Sequence, residues 1–109
     1  MTYSDAIADR VRSVLGGGGD VVERQMFGGL TFMVNGHMSC GVSEDRLMVR
    51  LAPEAAEDAL EEPGVSPFDV TGRPLKGMLW IDADAIQDDE TLAAWVGRAA
   101  TRARSLPPK

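Results

Sequence analysis

The side chains best suited to nucleophilic or acid–base chemistry are one histidine, His37, and one cysteine, Cys40, three positions apart. A catalytic dyad needs both groups within hydrogen-bonding reach. The surrounding sequence predicts a β-strand, and an odd separation on a strand directs two side chains to opposite faces of the sheet. The spacing therefore argues against a dyad, and Cys40 is expected to pack as a small apolar residue. We predict a protein that is not an enzyme and has no cofactor.

The other potential ligands do not predict a metal site. A structural zinc ion usually has four cysteine or histidine ligands, and this chain has one of each. Acidic residues cluster near the C-terminus at Asp82, Asp84, Asp88, Asp89 and Glu90. They lack the glycine and the final glutamate of an EF-hand calcium loop. Helix capping and solubility explain them better, with a cation at Asp82 and Asp84 as the alternative.

Arginines are the remaining candidates for binding a ligand, because a guanidinium group can hold a phosphate or carboxylate through two hydrogen bonds. Arg24, Arg50 and Arg73 lie on predicted strands and turns. Such residues more often form cross-strand ion pairs, for example with Glu23 or Asp69. Since the sequence does not make the three arginines converge, a small-anion or metabolite site is kept as an alternative function.

The elements that position these residues follow a simple order along the 109-residue chain. Ser4 predicts the N-cap of a first helix, which ends at the glycine run 16–19. Strands are predicted over 21–26, 30–34, 37–42 and 46–51, with an Asn-Gly turn at 35–36. Pro53 begins a short helix, 68–70 and 77–81 are two further strands, and Asp88 or Asp89 caps a last helix. The order α-β-β-β-β-α-β-β-α predicts one α+β domain over 1–109, with two layers and the helices mainly on one face of an antiparallel sheet.

Alternation along the strands divides the predicted sheet into two faces. The core face carries Leu30, Phe32, Val34, Met38, Cys40, Val42, Leu47, Val49, Leu51, Leu79 and Ile81. The second face carries Thr31, Met33, Ser39, Arg46, Met48, Arg50, Met78 and Trp80. If all helices lie on the core face, the second face has no cover, and exposed methionine and tryptophan are typical of contact surfaces. We expect Met33, Met48, Arg50, Met78 and Trp80 to bind a second copy or another protein, unless helices or sheet curvature cover them.

Charge and hydropathy narrow the classes of partner. The formal net charge is −6, which opposes binding to nucleic-acid phosphates. After Glu90, the last acidic residue, the chain contains the basic residues Arg98, Arg102, Arg104 and Lys109. Arginines that are separated along the chain give only a weak electrostatic attraction to nucleic acid. Direct nucleic-acid binding by the last helix is therefore the least favoured hypothesis. No stretch approaches the about 20 apolar residues of a membrane span, and the N-terminus does not have the pattern of a signal peptide, so we predict a cytoplasmic protein.

Several motifs together indicate a family. They are Met26-Phe27-Gly28-Gly29, the Asn35-Gly36 turn, the strand at 45–50, and a turn containing Gly72-Arg73-Pro74. In this combination nearly the whole chain resembles the N-terminal domain of TfoX/Sxy-type proteins. The resemblance implies a two-layer domain similar to secretion-chaperone-like folds, with helices on one side of an antiparallel sheet. By this resemblance, the motif residues are a signature of the shared fold and not a catalytic site.

The resemblance also implies a function. Larger members of this family regulate natural competence, which is the uptake of DNA by bacteria, and act together with other transcription factors. Because the chain stops at Lys109, we expect it to lack their C-terminal domain and not to carry the whole competence role. We therefore expect a bacterial, cytoplasmic, non-enzymatic regulatory domain that acts through protein contacts, with a homodimer as the simplest arrangement.

Overall fold

Six antiparallel strands and three α-helices form the described residues 3–16, 19–26, 29–69 and 74–107 of the computed structural model. In chain order these elements are α1 (Asp5–Leu15), β1 (Val21–Met26), β2 (Gly29–Val34), β3 (His37–Ser43), β4 (Arg46–Arg50), α2 (Pro53–Ala59), β5 (Val65–Asp69), β6 (Pro74–Ile81) and α3 (Asp89–Ser105). A short 3-10 helix (Ala83–Ile86) precedes α3. The predicted α+β fold and element order are confirmed, although β6 begins three residues before its predicted start.

The sheet has the strand order β1-β2-β3-β4-β6-β5. The first four strands form a meander, and β6 pairs with β4 so that β5 lies at the far edge. The turn between β2 and β3 is the predicted Asn-Gly turn, with φ of 53° at Asn35 and 82° at Gly36. Pro67 is tolerated in β5 because an edge strand has one side without ladder hydrogen bonds.

Side chains at the predicted positions begin two of the helices. Ser4 Oγ accepts a hydrogen bond of 3.2 Å from the backbone N–H of Ile7 at the start of α1. Asp88 accepts one of 2.9 Å from the backbone N–H of Thr91 at the start of α3. These bonds satisfy N–H groups that have no partner within the helix. Hydrogen bonds to the backbone and hydroxyl of Thr91 also lower the pKa of the Asp88 carboxyl.

The main core lies between one face of the sheet and the helices. Ten of the eleven residues predicted for this face are buried in it, namely Leu30, Phe32, Val34, Cys40, Val42, Leu47, Val49, Leu51, Leu79 and Ile81. Arg10 joins α1 to the segment before α3, because its guanidinium donates to the Ile86 carbonyl at 2.8 Å and to the Asp89 carboxylate at 2.9 Å. These contacts join α1 to the start of α3.

A β-bulge in β3 corrects two predictions. Phe32 is opposite Cys40, but the next residue, Met33, is opposite Met38, so Ser39 is one extra residue in β3. In the part of β3 before Ser39, each side chain therefore points to the face opposite to the one that simple alternation predicts. Met38 therefore lies on the second face and not in the predicted helix-side core. His37 lies on the same side of the sheet as Cys40, which corrects the expectation that the two face opposite ways.

Candidate functional site

The second face of the sheet contains a small core of its own. Met48, Phe68, Met78 and Trp80 form a buried cluster, and Trp80 is only 7 % exposed. For Met48, Met78 and Trp80 the structure therefore agrees with the alternative that the sequence left open, in which this part of the face is covered. We call this group of four residues the second cluster.

Two neighbours account for the burial of Trp80. The ring of Phe68, on the edge strand β5, lies 4.7 Å from the Trp80 ring between centroids, at an interplanar angle of 42°. The guanidinium of Arg46, on β4, lies 4.1 Å from the Trp80 ring centroid. This distance is typical of a cation–π contact, in which the guanidinium lies against the face of the aromatic ring. Arg46 therefore protects the second cluster from solvent.

An accessible apolar surface remains at the other end of the second face. Val22, Met33 and Met38 lie opposite one another on β1, β2 and β3 and form a single row across three strands. Val22 is 50 % exposed, and the two methionines are half-buried. We call these three residues the apolar row. Of the five predicted contact residues, Met33 and the half-buried Arg50 keep access to solvent.

The cavity beside the second cluster is too small for a metabolite. It is lined by residues of β2, β3 and β4 together with Phe68 and Trp80, and its volume is about 10 Å³. A single water molecule needs about that much space. A partner of this region would therefore bind at its surface and not in its interior.

The predicted anion site is not assembled by the described residues. Arg24 lies on β1 and Arg50 on β4, three strand positions away. At the usual strand spacing this separates their backbones by roughly 14 Å, and no contact within the described residues joins their side chains. The predicted third member, Arg73, lies outside the described residues.

Other arginines are engaged in ion pairs between elements. Arg12 of α1 holds the Glu23 carboxylate with two hydrogen bonds of 2.8 Å, and these lower the pKa of the Glu23 carboxyl. Arg104 of α3 donates to Asp20 at 3.0 Å and lowers the pKa of that carboxyl. Glu23 thus pairs with a helix and not with a neighbouring strand. These contacts fix the helices against β1 and the turn before it.

The bulge brings His37 and Cys40 to one side of the sheet without making a dyad. Cys40 is completely buried, and burial raises the pKa of its thiol to about 12, with a small opposing effect from the Ser39 hydroxyl. His37 Nε2 lies 2.6 Å from the Pro107 carbonyl oxygen, to which it donates a hydrogen bond. A neutral buried thiol is a poor nucleophile. The imidazole instead links the β2–β3 hairpin to the segment that follows α3.

We expect Cys40 to be inert toward thiol reagents in the folded protein. Reaction with a disulfide reagent at pH 8 should be at least about 1,000-fold slower than in guanidinium chloride, because burial removes both access and thiolate. The check is absorbance of the released thiolate with time. The same reagent on Ser13→Cys, an exposed α1 position, is the positive control. Complete modification of folded wild-type protein within seconds would contradict the burial of Cys40.

The family-motif residues that the structure describes have backbone roles. Met26 ends β1, Pro74 begins β6, and Phe27, Gly28, Gly72 and Arg73 lie outside the described residues. Gly29 lies so close to β3 that an added Cβ would be 2.1 Å from the Val42 carbonyl oxygen. This contact explains the second glycine of the Gly-Gly pair as a steric requirement of strand pairing.

The acidic residues near the C-terminus do not form a metal centre within the described chain, where no group of three or more histidine, cysteine or acidic side chains converges. Asp82 precedes the 3-10 helix and Asp84 lies in it, while Asp88 caps α3. A backbone role is therefore shown for Asp88. Among the described helices, none is long and apolar enough to cross a bilayer.

Comparison with known proteins gives one match. A model of the family described as the TfoX N-terminal domain matches residues 13–103, which include every strand of the sheet and most of α3. No curated protein and no solved structure matches the chain.

Proposed function

Since the chain belongs to the TfoX N-terminal domain family, we propose that it is a cytoplasmic regulatory domain of the competence-regulator type, which acts by binding another protein. The family is one of regulatory domains and is not a known enzyme family. The observation that carries the proposal is the apolar row, which gives the second face an accessible patch beside a rigid cluster.

The composition of the patch indicates the chemistry of its partner. Methionine side chains adapt to partners of different shape, and Val22 adds a rigid apolar contact at the sheet edge. Arg24 on β1 is exposed, and the half-buried Arg50 lies on β4 on the same face of the sheet. Arginine is enriched in protein interfaces and favours carboxylates across the contact. We therefore infer a partner segment with apolar side chains flanked by acidic residues.

The two other hypotheses have less support from the structure. An anion site would need Arg24 and Arg50 to converge from strands that are three positions apart in the sheet. Nucleic-acid binding by α3 would use its arginines, but Arg98 lies 3.6 Å from Glu62 and 4.6 Å from the Trp95 ring centroid. Arg104 is held by Asp20. No observation favours either function over protein binding.

Substitution within the apolar row tests the proposal. A photo-crosslinking residue at position 33, introduced in the native host, should capture a partner that can be identified by mass spectrometry. With that partner purified, Val22→Asp combined with Met33→Asp should weaken binding at least about tenfold, because both changes add charge to the contact and repel acidic groups. Calorimetry measures the affinity, and circular dichroism checks that the variant is folded.

Val14→Asp is the matched control, since Val14 is also an exposed apolar residue, at 37 %, but lies on α1. Its binding should equal that of the wild type. If the double variant binds the partner as tightly as the wild type, the apolar row is not the contact surface.

A further inference from the structure

Gly97 lies in the middle of α3, and no contact within the described residues requires a glycine there. Glycine is the weakest helix former after proline, and a helix interior normally avoids it. An added Cβ at Gly97 would meet nothing within 4 Å in the described part of the chain, whereas at Gly29 it would collide with backbone. A helix glycine that no contact within the described chain requires is typical of a surface that another backbone approaches closely.

The outer ridge of α3 has the spacing of a helix–helix seam. The core-facing side consists of Leu92, Trp95, Val96, Ala99, Ala100 and Ala103. The opposite ridge carries Glu90, Ala94, Gly97, Thr101 and Arg104, which recur at intervals of four and three residues. This is the repeat by which one helix faces another along a narrow seam. Its central residues are small, so a facing helix can approach closely.

A shallow groove runs beside this ridge. Its volume is about 590 Å³, and its walls include Ala52 and Ala55 near the start of α2 and Ala93, Ala94 and Gly97 of α3. Arg98 and Arg102 border it on the α3 side. The groove therefore combines an apolar floor of small side chains with charge at its rim, which is the usual anatomy of a protein contact.

The positions of the charges on the ridge favour a second copy of this chain as the binding partner. Glu90 and Arg104 are each seven residues from Gly97, on opposite sides of it. In an antiparallel pair of α3 helices that cross at Gly97, Glu90 of each copy faces Arg104 of the other, and Ala94 faces Thr101. A parallel pair would place like charges together, which is unfavourable. Arg104 also donates a 3.0 Å hydrogen bond to Asp20 of its own chain, so Glu90 of the second copy would share this guanidinium with Asp20.

We propose that two copies of this chain associate through antiparallel α3 helices, related by a two-fold axis at Gly97. An interface of this kind is self-complementary, as two-fold symmetry requires. It leaves the apolar row, on the other side of the sheet, available to a different protein, so it does not depend on the proposed function. Because one helix and part of a groove form a small contact, we expect a dissociation constant on the order of 10 µM.

Sedimentation equilibrium between 5 µM and 1 mM tests the proposal. The wild type should change from monomer to dimer across this range. Gly97→Leu should remain monomeric throughout, because a large side chain blocks close approach, while its Cβ would meet nothing within 4 Å in the described chain. Gly97→Ala should weaken the dimer but raise Tm by roughly 3–5 °C, because alanine favours the helix. Ser13→Leu, exposed on α1, should dimerise as the wild type does.

Charge reversal and cross-linking give independent readouts. Glu90→Arg should weaken association roughly tenfold, because it would place like charges opposite each other across the two-fold axis. Gly97→Cys should form an intermolecular disulfide on mild oxidation, since its thiol would lie at the two-fold axis and Cys40 is buried. Ser13→Cys should not. A wild type that is monomeric at 1 mM, or a Gly97→Leu variant that dimerises normally, would overturn the proposal.

Discussion

Trp80→Ala should lower the free energy of unfolding by about 3–5 kcal/mol, which is a large part of the total stability expected for a domain of this size. Trp80 is 7 % exposed and fills the second cluster, where it contacts both Phe68 and Arg46. Truncation removes the apolar contacts of the indole and leaves a cavity that the β-strands cannot close. Guanidinium chloride denaturation followed by circular dichroism measures the loss.

Val22→Ala is the control for this prediction, because Val22 is an apolar residue on the same face of the sheet but is 50 % exposed. Its cost should stay below about 1 kcal/mol. The comparison also separates two roles for Trp80. If Trp80→Ala lost less than about 1 kcal/mol while abolishing partner binding, Trp80 would be a contact residue, as the sequence alone suggests, and the second cluster would not be a core.

Gly29→Ala should destabilise the protein by about 3 kcal/mol or more, or prevent folding at 37 °C. The added methyl group would lie 2.1 Å from the Val42 carbonyl oxygen and 3.0 Å from the Ser43 Cα, so backbone would have to move. A flexible side chain could rotate away from such a contact, but a strand in the middle of a paired sheet cannot. Relief would require β2 and β3 to separate at one end.

Gly97→Ala is the matched control, since the same chemical change at Gly97 meets nothing within 4 Å in the described chain. The two variants should therefore shift Tm in opposite directions, downward for Gly29→Ala and upward for Gly97→Ala. Differential scanning calorimetry of both variants makes the comparison, at a low protein concentration so that association contributes little. Equal shifts would mean that helix and strand propensities, and not the close approach of β2 to β3, decide the outcome.

Local patterns in the sequence determined most of the fold. Capping residues such as Ser4 and Asp88, the proline at the start of α2 and the Asn-Gly turn act within a few residues of themselves. The alternation of apolar residues likewise identified ten buried positions of the helix-side core. These signals are readable because the interactions that they report join neighbours along the chain.

The candidate site depended on contacts that no local pattern reports. The bulge at Ser39 reversed the faces of His37 and Met38, and alternation contains no mark of one inserted residue. The burial of Trp80 depends on Phe68 and Arg46, which come from other strands. The sequence therefore placed Met48, Met78 and Trp80 on the correct face but could not show that this face closes over them.

The sequence by itself thus determined the family and the order of elements. It also determined the sheet face of each strand residue, except where the bulge in β3 interrupts the alternation. Only the tertiary structure decided which residues of the second face meet solvent, and that an added Cβ would collide with backbone at Gly29 but meet nothing within 4 Å in the described chain at Gly97. The physical reason is that exposure and close approach are properties of pairs of elements distant in sequence. They are settled by how the strands register and the helices pack, and not by the propensity of any one segment.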